Sequence, residues 1–366
     1  MKKVEKKSVI IFYPTQIENI KNYILNDISH EVFDPNYDIK FRYLFLSFLH
    51  FPKILFQILY IIKEVPIIKF LKILKLYLIS KAIAININKL SPKAVLSYID
   101  NSPIFHIVSK FCPNIPFIGM QNGNREFFAF TEELIHPSHK YHLDEYFCFG
   151  PKTKRIFLNY DQNNIKKYFY CGSFKEGIFF EKNYKAIISR DKIHDICLLS
   201  EWMKEESDFH DTYSWQKHNS SIEQICILLS DYMKIKKINL AIALRSSNED
   251  EVKFYKKYFK KNAIFYHKNV DGFSSYNAAC SSRVVVALYS VLALEMIGAG
   301  VKVLYINPYG HENYKVSNSN CDWYLYEPDV DQFNKKINQL LRINRSKFFS
   351  DNLKEIAFMN SFNYTK

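Results

Sequence analysis

The sequence predicts an α/β fold of two doubly wound parallel units, and three observations predict it. From about residue 92, short apolar strings alternate with amphipathic stretches of helical length. That alternation stops over a mixed, polar segment at 174–190 and restarts at Asp195. The chain has 366 residues, enough for roughly two domains of ordinary size. Strands that alternate with helices join through right-handed crossovers into parallel sheets. The expected domains are therefore 1–173 and 191–345, with 174–190 as a junction and a C-terminal helix in 346–366.

Ser8–Tyr13 reads as a first buried strand, ended by Pro14. Its apolar run falls short of the roughly 7–15 residues of a signal-peptide core, so a cytoplasmic location is expected. The next stretch, 41–90, carries Arg42, Lys53, Lys63, Lys69, Lys72, Lys75, Lys81 and Lys89 against a single acid, Glu64. Pro52 and Pro66 divide it into helical pieces. No apolar run reaches the ~18 residues of a membrane span. Lys69, Lys72 and Lys75 recur every third residue, near one face of a helix over Ile67–Lys81. Two readings stay open: a basic amphipathic surface on anionic lipid headgroups, at the inner face of a membrane, or core helices with solvated lysines.

Beyond residue 92, Lys93–Asp100 is expected as a strand and Ser102–Phe111 as a helix. Ile115–Met120 and Tyr146–Phe149 follow as strands. Lys152–Leu158 reads as a helix and Tyr168–Cys171 as a strand that leads into Gly172-Ser173. In the second unit the expected strands are Asp195–Leu199, Ile238–Leu244, Ala263–His267, Arg283–Leu288 and Val301–Ile306. The expected helices are Ser221–Lys234, Glu249–Lys260, Ser274–Cys280, Ser290–Gly298, Asp331–Ile343 and Lys347–Asn360.

In open parallel sheets, ligands bind beyond the carboxyl ends of the strands. That rule selects Asp100-Asn101, Gln121–Arg125, Gly172-Ser173, Ser200-Glu201, Arg245–Ser247, His267-Lys268 and Tyr289-Ser290. Two such crests facing each other would enclose a central cleft. The run from Gly272 to Pro308 is the most informative. A strand there ends at Ser290, which can cap the next helix. Free N–H groups at that helix start would hold a phosphate or carboxylate. Glu295, one and a half turns inside, is placed to accept from a sugar hydroxyl such as a ribose.

On these residues the sequence resembles the nucleotide-sugar half of GT-B glycosyltransferases, and more narrowly bacterial surface-carbohydrate and capsule-type enzymes. Asp100-Asn101, the Gln121-Asn122-Gly123-Asn124-Arg125 turn, the run Asp144–Gly150 and Gly172-Ser173 also match, so the likeness spans most of 92–310. Residues 15–90 have no counterpart. The resemblance implies two facing Rossmann-like domains with a central cleft and a last helix that crosses back to the first domain. It implies transfer of a sugar from a nucleotide-sugar donor to a surface polysaccharide or lipid-linked glycan, without a metal or other cofactor. Asp100 is then the candidate general base; the alternative is an Asx cap on the following helix. Asn101, Gln121, Asn122, Gly123, Arg125, Gly172 and Ser173 would line the acceptor side. Ser200, Glu201, Arg245, His267, Lys268, Ser274, Ser275, Tyr289, Ser290 and Glu295 would line the donor side. The sequence departs from the pattern where relatives that use CMP or CDP donors carry His-Pro, since here His267 precedes Lys268. The first glutamate of the two-glutamate pattern is also missing, because Ala287 stands there. A cytidine donor is slightly favoured. Transfer of a polyol phosphate and a non-catalytic assembly role are the alternatives.

Other classes are excluded by what the chain lacks. There is no G-x-G-x-x-G, no G-x-x-x-x-G-K-[ST] and no G-x-S-x-G. Asp329-Val330-Asp331 has metal-binding spacing but follows the last expected domain strand, so it reads as a solvated turn. The net charge of +13 favours anionic partners. No nucleic-acid motif accompanies it, and nucleic acid is not an expected partner. The seven scattered cysteines contain no C-x-x-C and read as buried free thiols.

Overall fold

The computed structural model describes residues 9–38, 41–62, 67–125, 141–159, 163–189, 192–204, 215–268, 272–316 and 321–361. Ser8, Lys63, Glu64 and Pro66 lie outside the described residues, as does the side chain of Lys69. The chain divides into two compact units, the first ending at Phe174 and the second beginning at Lys175.

The first unit opens with β1 (Val9–Phe12), α1 (Ile17–Ile20), a π-helical turn (Lys21–Leu25) and β2 (His30–Phe33). Three helices follow: α2 (Phe41–Phe48), α3 (Phe51–Ile62) and α4 (Ile67–Leu90). The unit closes with β3 (Ala94–Ser97), α5 (Pro103–Phe111), β4 (Phe117–Met120), β5 (Tyr141–Cys148), α6 (Pro151–Asn159) and β6 (Asn163–Tyr170). The strands form one parallel sheet in the order β2-β1-β3-β4-β5-β6. Both faces are covered, as a parallel sheet requires. Ile10, Phe12, Val95, Phe117, Leu143 and Tyr146 belong to one core. Ile11, Leu96 and Met120 belong to the other. The edge strand β2 escapes the sequence reading because His30 and Glu31 interrupt its apolar character.

The second unit runs α7 (Phe174–Ser189), β7 (His194–Leu199), α8 (Trp215–Ile235), β8 (Leu240–Ala243), α9 (Glu249–Phe259) and β9 (Ala263–Tyr266). It continues with α10 (Ser274–Cys280), β10 (Ser282–Ala287), α11 (Val291–Gly298), β11 (Val303–Asn307), a 3-10 turn (Glu312–Tyr314) and β12 (Tyr324–Tyr326). The closing helices are α12 (Val330–Arg342) and α13 (Arg345–Met359). Again one parallel sheet forms, in the order β12-β11-β10-β7-β8-β9.

Three local features go beyond the sequence reading. The polar junction at 174–190 is helix α7, because Ile178, Phe179 and Phe180 are buried at 2%, 0% and 3% exposure. Asp329, exposed before α12, caps that helix: its carboxylate accepts from Gln332 N at 2.7 Å, and Gln332 returns a capping-box contact. The last helix, α13, packs on α11 within the second unit. Asn360 fastens it there, donating to Glu176 Oε2 at 2.9 Å and to the Leu294 carbonyl at 3.2 Å. Gly298 makes room for this junction, since a Cβ there would collide with the Asn360 side chain. Five of the seven cysteines are buried and none is paired in a disulfide.

Candidate functional site

Sheet topology fixes where a ligand can enter. In the second unit, β8 and β9 lie on one side of β7 and β10 lies on the other. The chain therefore leaves β7 and β10 in opposite directions and opens a crevice beyond their carboxyl ends. Glu201 follows β7 at this point, and Leu288, Tyr289 and Ser290 follow β10.

Glu201 and the start of α11 are joined there. Glu201 Oε1 accepts the backbone N–H groups of Leu288 and Tyr289, each at 2.9 Å, and Oε2 accepts from Tyr289 N at 3.1 Å. A half-buried carboxylate thus sits on the amides that lead into a helix, where the dipole favours negative charge. Burial pushes the Glu201 acid up to about 7, against the opposing pull of the Tyr289 and Leu288 amides and of Arg245. The Glu201 main chain is also held: its carbonyl meets His218 Nε2 at 2.7 Å, and His218 Nδ1 meets the Tyr314 hydroxyl at 2.8 Å. His218 belongs to no motif, and nothing in the sequence points to it.

Ser290 occupies the N-cap position of α11 but makes no side-chain cap bond. Its carbonyl accepts from the Tyr305 hydroxyl at 3.1 Å. Tyr289 and Ser290 are both half-buried. Glu295 is only 5% exposed, and its Oε2 accepts from the Tyr276 hydroxyl at 2.5 Å.

One strand along, a buried carboxylate organises the loop after β8. Glu251 has no exposed surface. It accepts from Arg245 N at 2.7 Å, Ser246 N at 2.9 Å, Ser246 Oγ at 2.8 Å and Ser247 N at 2.7 Å, and it also accepts from the Ser200 hydroxyl. The Ser200 hydroxyl thus helps hold this loop in place. The loop leaves the Arg245 residue exposed. Glu251 escaped the sequence reading, although Asn248-x-x-Glu251 carries a capping signal: Asn248 Oδ1 accepts from Glu251 N at 2.7 Å.

His267 and Lys268 are exposed and follow β9, the edge strand. Lys268 N donates to Ser247 Oγ at 2.6 Å. The structure thus ties this pair to the loop after β8 and not to the switch point. Ser274 and Ser275 begin α10, which is only seven residues long and has no side-chain cap at Phe273. Ser274 is 8% exposed.

In the first unit the predicted crest is a closed network. Asp100 is fully buried. Arg125 binds both its oxygens, Nε to Oδ2 at 3.1 Å and Nη2 to Oδ1. The Tyr146 hydroxyl donates to Oδ2 at 2.5 Å and Asn122 N to Oδ1 at 3.1 Å. The Asp100 carbonyl meets His106 Nε2 at 2.6 Å. Burial opposes the Arg125 charge most strongly, but the Asp100 carboxylate together with Tyr146 and Tyr141 outweighs it and holds the guanidinium above its ordinary range. Both oxygens of this enclosed carboxylate are engaged, and they hold Arg125 and the 121–125 turn in place. The Asx-cap alternative falls: Ser102 caps α5, accepting from Phe105 N at 3.4 Å.

Gln121 and Arg125 are likewise buried, at 3% and 4% exposure, and hold the turn together. Gln121 Oε1 accepts from Phe149 N at 2.8 Å and Thr153 Oγ1 at 3.0 Å, which pins α6 to the end of β4. Asn122 Oδ1 accepts from Arg125 Nη2 at 2.8 Å. Asn101 and Gly123 are half-buried beside this network. Gly172 and Ser173 are buried, and Gly172 takes a left-handed φ of 77°.

A cavity of about 260 Å³ lies elsewhere, at the amino ends of the second sheet, lined by Lys192, Arg283, Lys302, Arg342 and Arg345. Three of these cations cap helix carboxyl ends. Lys302 Nζ donates to Leu340 O at 2.6 Å and Ile343 O at 2.9 Å, Arg345 Nε to Gly300 O at 2.8 Å, and Arg283 Nη2 to Leu341 O. Lys302, Arg345 and Arg283 in its lining thus serve the ends of α11 and α12.

The structure of UDP-GlcNAc 2-epimerase from Neisseria meningitidis bound to UDP-GlcNAc is similar at a TM-score of 0.52 and 14% identity, covering 95% of this chain and 100% of that one. MurG from Acinetobacter baumannii is similar at 0.51 and 10% identity, with 96% and 94% covered. The MnaA–UDP co-structure from S. aureus is similar at 0.51 and 12% identity, with 96% and 90% covered. At these identities the likeness is one of fold: two parallel six-stranded sheets with interleaved helices, the GT-B class. No curated protein matches the sequence. A family model described as "putative O-antigen biosynthesis protein" matches residues 118–341, well over half of the chain. The chain belongs to this O-antigen biosynthesis family, and its fold is of the GT-B class.

Proposed function

We propose that the protein transfers a sugar from a nucleotide-sugar donor to a surface polysaccharide or lipid-linked glycan. The observation that carries the reading is the arrangement of Glu201, Tyr289 and Ser290 at the switch point of the second sheet. Two amide groups there already hold an anionic group, and the Ser290 side chain is not used in capping its own helix. A donor phosphate would exchange with the Glu201 carboxylate on these amides, or share them with its protonated form. Arg245 adds a cation one strand away. Glu295, oriented by Tyr276, would accept from the ribose. Structures of the same fold bound to UDP-GlcNAc and to UDP support a nucleotide-sugar partner.

In the proposed reaction, an acceptor hydroxyl oxygen attacks the anomeric carbon. The bond from that carbon to the phosphate oxygen breaks, and the nucleotide leaves with the electron pair. The amides at the start of α11 and Arg245 would stabilise the developing charge without a metal. The hydroxyl proton passes to a carboxylate general base, for which Asp100 is the candidate if the acceptor displaces part of its network.

The test is incubation of the full chain with UDP-, GDP-, ADP- and CMP-sugars, with and without lipid-linked glycan extracted from bacterial membranes. The expected result is nucleotide release from one donor that depends on the acceptor. Epimerisation of the sugar with the nucleotide retained would overturn the reading, as would no turnover of any donor.

A further inference from the structure

Helix α2 is built inside out. Its inward positions are polar or amphipathic: Tyr43 and Ser47 are 4% and 0% exposed. Phe41, Phe45, Phe48 and Leu49 stand out at 80%, 64%, 52% and 68% exposure. Positions 41, 45 and 48 share one helical stripe, and Leu49 follows directly. On α3, Phe56 adds a fourth ring at 76% exposure, while Ile54 and Ile58 are buried. Each such ring offers roughly 150–250 Å². Together the exposed fractions reach the upper end of the roughly 300–600 Å² typical of the largest apolar patch on a soluble monomer.

The charges on the described residues of this helical segment have one sign. Described residues of 41–90 include Arg42, Lys53, Lys72, Lys75, Lys81 and Lys89 and no aspartate or glutamate. Arg42, Lys53, Lys72 and Lys75 are exposed, and Leu71 beside Lys72 is 58% exposed. Helix α4 is the support: α2 and α3 pack on it, and its Tyr77, Leu78, Ala82, Ile83, Ala84 and Ile87 are buried. None of the described helices is long and apolar enough to cross a membrane.

We infer that the outward face of α2 and the start of α3 dock on an anionic bilayer surface, with Phe41, Phe45, Phe48, Leu49 and Phe56 entering the headgroup–acyl boundary. Arg42, Lys53, Lys72 and Lys75 meet the lipid phosphates. The sequence reading leaves such a contact open for 41–90 as a whole, beside a core-helix alternative. A second copy is a poorer occupant, because pairing this face with itself would oppose like charges. The inference is independent of the sugar-transfer reading.

The experiment is co-sedimentation of the full chain with phosphatidylcholine vesicles, with and without phosphatidylglycerol. The expected result is binding that needs the anionic lipid. The triple variant F41S/F45S/F48S should lose roughly tenfold or more in partitioning, with an unchanged melting temperature. K53Q/K72Q/K75Q should lose binding chiefly at low salt. Should the triple variant fail to fold, Phe41→Ser and Phe56→Ser singly, one on each helix, are each expected to weaken binding. No binding to phosphatidylglycerol vesicles would overturn the inference, as would full binding by the folded serine variants. A dimer that the serine variants dissolve, without vesicle binding, would reassign the face to a second copy.

Discussion

Tyr289 presents its backbone N–H to both carboxylate oxygens of Glu201, at 2.9 and 3.1 Å, across the point where the second sheet reverses its strand order. A side chain from one strand end thereby occupies the anion-attracting start of a helix that belongs to the neighbouring strand. Because burial holds the Glu201 acid at about 7, its charge changes across the neutral range.

A pH dependence follows. Below about 7 the Glu201 carboxyl is mostly neutral, and above it mostly charged. The charged form repels a phosphate from the same amides. Nucleotide affinity should therefore fall as pH rises, by roughly three- to tenfold between about pH 6 and about pH 8. Glu201→Gln keeps a carbonyl acceptor for the amides and removes the charge. Calorimetric titration should show its affinity flat with pH and at least equal to the wild-type value at low pH.

Asp100 and Arg125 should act on stability. Asp100→Asn leaves the buried guanidinium without its counter-charge. Chemical denaturation should show a loss of about 3–5 kcal/mol. In the double variant Asp100→Asn/Arg125→Met the loss should be smaller than the sum of the two single losses. A folded Asp100→Asn protein with unchanged stability and abolished turnover would assign Asp100 to proton transfer alone.

His106 should make the fold acid-sensitive. It is buried at 3% exposure, its Nε2 faces the Asp100 carbonyl, and its Nδ1 accepts from His142 N at 3.3 Å. Both ring nitrogens are used in the neutral form, and burial lowers the pKa to about 4. The unfolded chain takes up this proton near 6.5. The contribution to stability is therefore complete above about 6.5 and is lost as pH falls towards 4. Compared with His106→Gln, the wild type should lose up to about 3 kcal/mol more over that interval in denaturation curves.

Glu251 should couple loop order to ligand affinity. Glu251→Ala removes the acceptor for three backbone amides and two hydroxyls at once. A stability loss of about 2–4 kcal/mol is expected from the stranded donors. Hydrogen exchange should rise at Arg245, Ser246 and Ser247, and nucleotide affinity should weaken as Arg245 loses its position.

The architecture was legible because parallel strands buried on both faces read as apolar strings. Segments such as Asp195–Leu199 and Arg283–Leu288 could hardly be missed. Strands diluted by polar residues were harder. β5 starts at Tyr141, five residues before its expected start, because His142, Asp144 and Glu145 break the apolar run. Strand-end positions were legible too, since the topology rule selects them. The duties of their side chains were not. Whether Asp100 faces solvent or core depends on Arg125, 25 residues on, and Ser200 is claimed by Glu251, 51 residues away. The outward Phe stripe of α2 was hidden because apolar residues at helical spacing normally face a core.

The central claim, a nucleotide site at the start of α11, is tested most directly by calorimetric titration of the full chain with UDP, GDP, ADP, CDP and CMP near pH 6. One of these should bind with submillimolar affinity, and Ser290→Trp, which fills the entrance, should abolish that binding while the melting temperature holds. Absence of binding by every nucleotide, or binding untouched by Ser290→Trp, would contradict it.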